Sequence, residues 1–141
     1  PSSFSRGVWD GRGSSITSSL EEPMLISVLK SKLHQARVTD KNTLYMGSIT
    51  IDRELMDFAG LRPYERVEVY DIENGERFAT YVIESERGGR GIVVNGAAAR
   101  RVEAGDRVIV AAYALIGPDE EVRPKVVLLD EENRVIDGAK G

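Results

Sequence analysis

In the run Thr43-Leu44-Tyr45-Met46-Gly47-Ser48-Ile49-Thr50, a serine hydroxyl follows a glycine inside an apolar, strand-like stretch. A serine can attack the carbonyl of the residue before it. Glycine there helps, because it has no Cβ to obstruct the approach and tolerates unusual backbone angles. The amide becomes an ester. Removal of the serine α-proton then eliminates the ester, cuts the chain and leaves a dehydroalanine, which hydrolyses with loss of ammonia to a pyruvoyl group. Such a ketone, built from the chain itself, is an electron sink for an amine-bearing substrate, as a bound cofactor otherwise would be. A Gly-Ser pair is by itself usually a turn, and Gly13-Ser14 in the Ser/Gly-rich start of the chain is of that kind. The β-formers and aromatics around Gly47 instead predict a place in or at the end of a strand, where glycine marks a bulge or a close approach.

Four other stretches carry polar residues. Asn74-Gly75 is a strong hairpin signal joining Val67-Tyr70 to Arg77-Phe78-Ala79-Thr80-Tyr81-Val82-Ile83. Arg77 can grip a carboxylate through two parallel hydrogen bonds, which favours an acidic substrate, and Tyr81 can donate a proton. On an extended strand these two share a face about 13 Å apart and Thr80 points the other way. A bulge, long side chains or a site shared between subunits would each bring them together. Lys32 and His34 share one face of a strand with Leu33 on the other; the plainer alternative is a solvated lysine beside a hydrogen-bonded histidine. Asn95-Gly96-Ala97-Ala98 reads as an N-cap followed by small residues, whose free N–H groups could bind a carboxylate oxygen or simply start an ordinary helix. The loop Arg87-Gly88-Gly89-Arg90-Gly91 lacks a phosphate-loop fingerprint and reads as a hairpin tip with solvated charges.

Composition narrows the chemistry. The 141 residues fit one domain with one modest core. A net charge of −4 and a pI near 5.1 give no footprint for nucleic acid or an anionic membrane. There is no cysteine, and His34 is the only histidine, so thiolate chemistry and a multi-histidine metal centre are excluded. No window approaches the roughly 18 apolar residues of a membrane span, and the start of the chain has no signal-like apolar core. A cytoplasmic protein is expected. Residues 1–23, with the only tryptophan, Trp9, show no apolar period and are expected to be a disordered extension or an expression remnant; residues 24–141 form the domain, with Met24 the natural initiator.

The positioning elements follow from the pattern. A strand runs through Lys32-Leu33-His34, and Asp40-Lys41-Asn42 is predicted to turn into a strand from Leu44 to Ile51. Asp52 caps a short helix carrying Leu55, Met56 and Phe58, stopped by Gly60 and Pro63. A weak repeat relates Arg53–Phe58, Ala59-Gly60 and Glu65-Arg66-Val67-Glu68-Val69 to Ala97–Arg101, Ala104-Gly105 and Asp106-Arg107-Val108-Ile109-Val110. Two such units can close into a small pseudo-symmetric barrel. Lys125–Leu129 and Arg134–Ile136 are expected to form a peripheral hairpin with a frayed end.

Together, Lys32-Leu33-His34, Tyr45-Met46-Gly47-Ser48, Asn74-Gly75-x-Arg77-Phe78-x-Thr80-Tyr81, Glu86-Arg87-Gly88 and Val94-Asn95-Gly96-Ala97-Ala98-Ala99 make the chain resemble the aspartate 1-decarboxylase family over about residues 24–129. The resemblance implies a mainly β, double-psi β-barrel with short helices, and a homotetramer with active sites between subunits. It also implies self-cleavage between Gly47 and Ser48, a pyruvoyl cofactor derived from Ser48 with neither metal nor pyridoxal phosphate, and decarboxylation of L-aspartate to β-alanine for pantothenate synthesis. Thr80 is implied in cleavage and Tyr81 in proton transfer. Arg77 and Lys32 would hold substrate carboxylates, and Asn95, Gly96, Ala97 and Ala98 would also bind substrate. His34 and Tyr45 fall in the matched motifs with a processing or structural role. Some bacteria add a maturation-promoting partner. Met46 departs from the acidic residue that often precedes the Gly-Ser, which bears on cleavage rate, and the tail before Met24 has no counterpart. The competing reading is a non-catalytic barrel module that binds a ligand or peptide with an inert Gly-Ser. A dimeric, swapped-hairpin DNA-binding barrel fits poorly with the acidic pI.

Overall fold

A computed structural model of the chain describes residues 24–44 and 46–140, with side chains described to residue 136. The expected extension over residues 1–23 and the role assigned to Tyr45 lie outside the described residues. The strands in chain order are β1 (Ile26–Arg37), β2 (Asp40–Asn42), β3 (Ser48–Asp52), β4 (Arg66–Asp71), β5 (Arg77–Ser85), β6 (Ile92–Asn95), β7 (Arg107–Ile116), β8 (Lys125–Leu129) and β9 (Val135–Lys140). Helix α1 (Arg53–Ala59) follows β3, and a 3-10 helix, Gly96–Arg101, follows β6. The strands form one mixed sheet in the order β2-β6-β3-β5-β4-β7-β1-β8-β9. Three of its pairings are parallel, β1 with β8, β2 with β6 and β3 with β5.

Alternation of apolar residues builds the core. Ile49 and Ile51 of β3, Val67 and Val69 of β4 and Val108 and Val110 of β7 are all within 1% of full burial. Each contributes about 1.5–3 kcal/mol by leaving water, so the strand period of two fixes which face of every strand points inward. Asp52 caps α1 as expected, accepting from Glu54 N at 2.9 Å, and Gly60 ends it at φ 72°, a left-handed C-cap that favours glycine. Leu55 and Met56 are buried and Phe58 is exposed. The Asn74-Gly75 hairpin forms with Gly75 at φ 78°.

The internal repeat has a geometric counterpart. Val69 and Val110 hold equivalent places in the two copies, and they pair directly with one another in the antiparallel β4–β7 ladder. The neighbouring pairs Glu68↔Ala111 and Tyr70↔Ile109 exchange under the same rotation, so a local two-fold axis passes through the Val69–Val110 pair. The copies differ in their turns, because Gly60 caps its helix directly whereas Gly105, at φ 95°, lies after the 3-10 helix has ended at Arg101. These features match the expected mainly β barrel with short helices.

Three expectations need correction. Asp40–Asn42 is not a turn but a short strand, β2, parallel to Val93–Asn95. Lys41 anchors it by donating to Val102 O at 2.9 Å. Tertiary pairing overrides the turn propensity of Asp-Lys-Asn, the turn shifts to Thr43–Leu44, and the next strand starts at Ser48 rather than Leu44. The C-terminal hairpin is not peripheral at β8, which pairs in parallel with β1 and buries Val127 and Leu129 in the core. Asn133, at φ 60°, ties its turn down by accepting from Arg37 N and donating to the carbonyls of Arg37 and Arg90. Finally, the loop from Arg87 to Gly91 is not merely a solvated tip. Its Gly88 and Arg90 amides donate to the buried Asp52 carboxylate at 3.0 and 2.7 Å, so it cradles an anion that belongs to the chain itself.

Candidate active site

The expected cleavage point lies where exposed chain enters the core. Leu44 and Met46 are 95% and 82% exposed, Gly47 is exposed, and Ser48 is fully buried as the first residue of β3. Gly47 has no positive φ, and a Cβ built on it meets nothing within 4 Å. The expected bulge or close approach is therefore not what calls for glycine within one chain. The open space does leave the flank of the following carbonyl unscreened.

Antiparallel pairing of β3 with β6 sets Ser48 opposite Asn95. Asn95 Nδ2 donates to Ser48 Oγ at 2.8 Å and to Thr50 Oγ1 at 3.0 Å. Asn95 occupies the N-cap position of the 3-10 helix, yet its side chain makes no capping bond. The expected cap is thus diverted to the serine, and Gly96, at φ 77°, begins the helix behind it. Gly96 is buried, Ala97 exposed and Ala98 half-buried.

On the other side of β3, parallel pairing with β5 aligns Ile49 with Val82. The ladder runs from there to Asp52 with Ser85, and Ser48 and Tyr81 lie one step before it on their strands. Paired residues of adjacent strands point to the same face. Asn95 and Ser48 therefore form one row across β6 and β3, and Thr80 and Tyr81 are the β5 residues just before the stretch that pairs with β3. In β5, Arg77, Ala79 and Tyr81 are exposed while Phe78 and Thr80 are half-buried, the alternation expected. No bulge brings Arg77 closer to Tyr81.

The remaining residues are not gathered there. Lys32 and His34 lie on one face of β1 as expected, but β5, β4 and β7 intervene between β1 and β3. The sole histidine has its pKa lowered, first by burial and then by the Lys32 charge, and its buried Nδ1 has no hydrogen-bond partner among the described residues. A cavity of about 250 Å³ near α1, lined by Glu54, Leu55, Phe58, Arg90 and Arg134 among others, includes none of these residues.

Two participants escaped the sequence reading. Thr50 shares the Asn95 amide with Ser48, and Tyr70 lies under the Arg77 guanidinium, 4.2 Å from ring centroid to Cζ. The signal for Tyr70 was present, since a hairpin closed around Asn74-Gly75 pairs Tyr70 with Arg77.

The family model described as aspartate decarboxylase matches residues 24–136. The chain belongs to the aspartate decarboxylase family. Among curated relatives, the Aspartate 1-decarboxylase of Thermosipho africanus (strain TCF52B) is 53% identical over 110 residues, covering 78% of this chain and 92% of the relative. That of Caldicellulosiruptor saccharolyticus is 54% identical over 115 residues, with 80% and 90% covered. That of Coprothermobacter proteolyticus is 54% identical over 112 residues, with 79% and 93% covered. Family membership accounts for the double-psi β-barrel. It also places the Ser48 row within a chain whose relatives are named for a lyase reaction. No helix among the described residues is long and apolar enough to cross a membrane.

Proposed function

We propose that the chain cleaves itself between Gly47 and Ser48 and then, with a pyruvoyl group at position 48, decarboxylates L-aspartate to β-alanine and CO2, a reaction that feeds pantothenate synthesis. The observation carrying this reading is the buried Ser48 hydroxyl, held by Asn95 at 2.8 Å directly after an unobstructed glycine. The name shared by the relatives supports the substrate.

Cleavage needs only groups of the chain. Ser48 Oγ attacks the Gly47 carbonyl carbon, the C–N bond breaks, and the Ser48 nitrogen takes up a proton. Thr80, two residues before the Val82 that pairs with Ile49, polarises the Gly47 carbonyl and stabilises the oxyanion. Loss of the Ser48 α-proton expels the Gly47 carboxylate, and hydrolysis of the resulting dehydroalanine releases ammonia. In this sequence of steps the Oγ held by Asn95 Nδ2 departs within the Gly47 carboxylate and water supplies the ketone oxygen at the Ser48 Cα, so the neutral Asn95 amide is a donor set free beside the group so formed, which the site therefore fits. That group supplies an electrophilic ketone and an electron sink.

The other residues hold the substrate and move a proton. Arg77 grips the distal carboxylate through its planar fork, Lys32 adds a second positive charge, and the N–H groups at Gly96, Ala97 and Ala98 receive a carboxylate oxygen. After CO2 leaves, Tyr81 delivers a proton to the α-carbon. Three strands separate Lys32 from Ser48 in one chain, which supports a site completed between subunits of a homotetramer. His34, with its unpartnered Nδ1 and lowered pKa, takes a structural or processing role as a neutral group. The enzyme on this reading is cytoplasmic and uses no metal, pyridoxal phosphate, nucleic acid or membrane. A maturation-promoting partner, where one exists, acts on cleavage rather than turnover.

Denaturing gels with intact-mass measurement test the reading. Two fragments split after residue 47 are expected, the second one ammonia lighter than plain hydrolysis would leave it. A single uncut chain without aspartate turnover would favour the inert binding module.

A further inference from the structure

Arg77 is backed by aromatic side chains that neither cleavage nor proton transfer uses. Its guanidinium lies 4.2 Å from the centroid of the Tyr70 ring, inside the roughly 6 Å range of a cation–π contact. Stacking occupies the face of a guanidinium and leaves its N–H edges free for a carboxylate. The Tyr70 hydroxyl in turn shares a hydrogen bond of 2.7 Å with the hydroxyl of Tyr113 on β7, an ordinary O–H···O length. Tyr70 is therefore fixed at both ends, by its strand and by its hydroxyl.

The charges on this face leave the fork available. Glu68, two residues before Tyr70, is paired with Arg66 at 3.3 Å, and Glu76, beside Arg77 in the chain, is paired with Arg101 at 2.8 Å. Arg77 has no salt-bridge partner among the described residues. The Tyr113 phenol is pushed up to about 12, chiefly by its bond to Tyr70 and then by burial, so the Tyr113 hydroxyl keeps its proton near neutral pH.

We propose that Tyr113, acting through Tyr70, is a positioning residue that fixes the plane of the Arg77 guanidinium and so sets the selectivity of the site for substrates with a second carboxylate. This deepens the proposed function and rests on Arg77 being the carboxylate anchor. Removing either hydroxyl frees the Tyr70 ring to rotate while leaving both rings in place. Binding of a dicarboxylate weakens and the chemical steps do not change.

The test uses full-length, mature Tyr113→Phe, Tyr70→Phe and the double variant. Steady-state kinetics with L-aspartate are combined with calorimetric binding of succinate, which carries both carboxylates and no amine to react. Each single variant is expected to raise KM for aspartate and Kd for succinate by about three- to tenfold, the size of one neutral hydrogen bond. kcat should stay within about twofold of wild type. Because one bond is lost in all three, the double variant should be no worse than either single, the signature of a coupled pair. Wild-type KM and Kd in both single variants, a fall in kcat at constant KM, or additive losses in the double variant would overturn the proposal. A wild-type chain that neither cleaves nor turns over aspartate sinks the proposed function instead. A wild type that does both, beside Phe variants with wild-type KM, sinks this inference alone.

Discussion

Asn95 Nδ2 donates to Ser48 Oγ at 2.8 Å across the β3–β6 ladder, although Asn95 stands where a helix cap would be. The 3-10 helix gives up its side-chain cap and the serine gains a fixed neighbour. Caps of this kind are commonly worth about 1 kcal/mol, so the diverted side chain carries a local cost at the point where chemistry is proposed.

Asn95→Ala should therefore slow cleavage without unfolding the barrel. It leaves Ser48 Oγ, buried in β3, without its donor, and Thr50 Oγ1 loses the same one. A stability loss of about 1–3 kcal/mol is expected for such unsatisfied groups. Cleavage should slow by on the order of tenfold or more, the same range expressed as a rate. Time-resolved gels of freshly purified protein, with thermal melts alongside, separate the two effects. Unchanged cleavage in a destabilised protein would reduce Asn95 to a structural role.

Much of this site was legible in the chain. The Gly47-Ser48 pair, the two faces of β5 and the Lys32–His34 face follow from period-two alternation, and α1 was bounded by Asp52 and Gly60 because caps are local signals. The β2 strand and the inward packing of β8 were not legible, because both depend on partners distant in sequence. The parallel alignment of Ile49 with Val82 was also hidden, since a parallel register is fixed by a crossover and no turn between the strands announces it. Asn95 does stand at the expected N-cap position, but its side chain bonds the serine and Thr50 rather than the helix. Its side chain had two possible partners, and only the fold brings the serine within reach.

Arg77 has no carboxylate partner among the described residues, so its charge is available to a ligand. Arg77→Ala should raise KM for aspartate by on the order of 10² or more while leaving cleavage intact. A chain of net charge −4 has little other positive potential to offer an amino acid with two carboxylates. Arg77→Lys should recover only part of this, because an ammonium is a point charge without a planar fork and stacks less well on Tyr70. Wild-type KM in the lysine variant would rule out bidentate recognition.

The two copies of the repeat also bring acidic residues together. Asp71 is 2% exposed, its Oδ2 has no hydrogen-bond partner among the described residues, and burial pushes its carboxyl up to about 6, with Asp106 adding in the same direction. The unfolded chain releases this proton near the ordinary value of 3.8. Between about pH 4 and 6 the folded state therefore binds more protons than the unfolded one. The contribution to stability is full below about pH 4 and is lost as pH rises through about 6. Asp71→Asn keeps an oxygen for Glu73 N, which Asp71 Oδ1 now accepts at 2.8 Å, and presents a neutral amide to Asp106. It should stabilise the protein at pH 7.5 by on the order of 1–3 kcal/mol and have little effect near pH 4. Thermal melts at the two pH values decide, and an equal loss of Tm at both would show that the carboxyl pair is not strained.

The last expectation separates making the cofactor from using it. The β3–β5 register pairs Ile49 with Val82, so Thr80 and Tyr81 lie just before the paired stretch, and their side chains take opposite faces of β5. Thr80→Val keeps the side-chain shape and removes only a hydroxyl, so the Gly47 carbonyl loses a polarising donor. Cleavage should slow by on the order of 10², the usual size of one oxyanion-stabilising bond. Chains that do mature should turn over aspartate at nearly the normal rate. Tyr81→Phe should do the reverse: its hydroxyl is on the exposed face and is needed only when the substrate α-carbon takes up a proton after CO2 has gone. Cleavage should proceed normally, and kcat should fall by about 10² to 10⁴, the range of general-acid contributions. Rates of fragment appearance and of β-alanine formation, measured on the same preparations, give both numbers for each variant. A Tyr81→Phe chain that stays uncut, or that cleaves and turns over like wild type, would place the phenol in the wrong step. A Thr80→Val chain that cleaves at the normal rate would remove the hydroxyl from the cleavage reaction and leave the oxyanion to backbone donors.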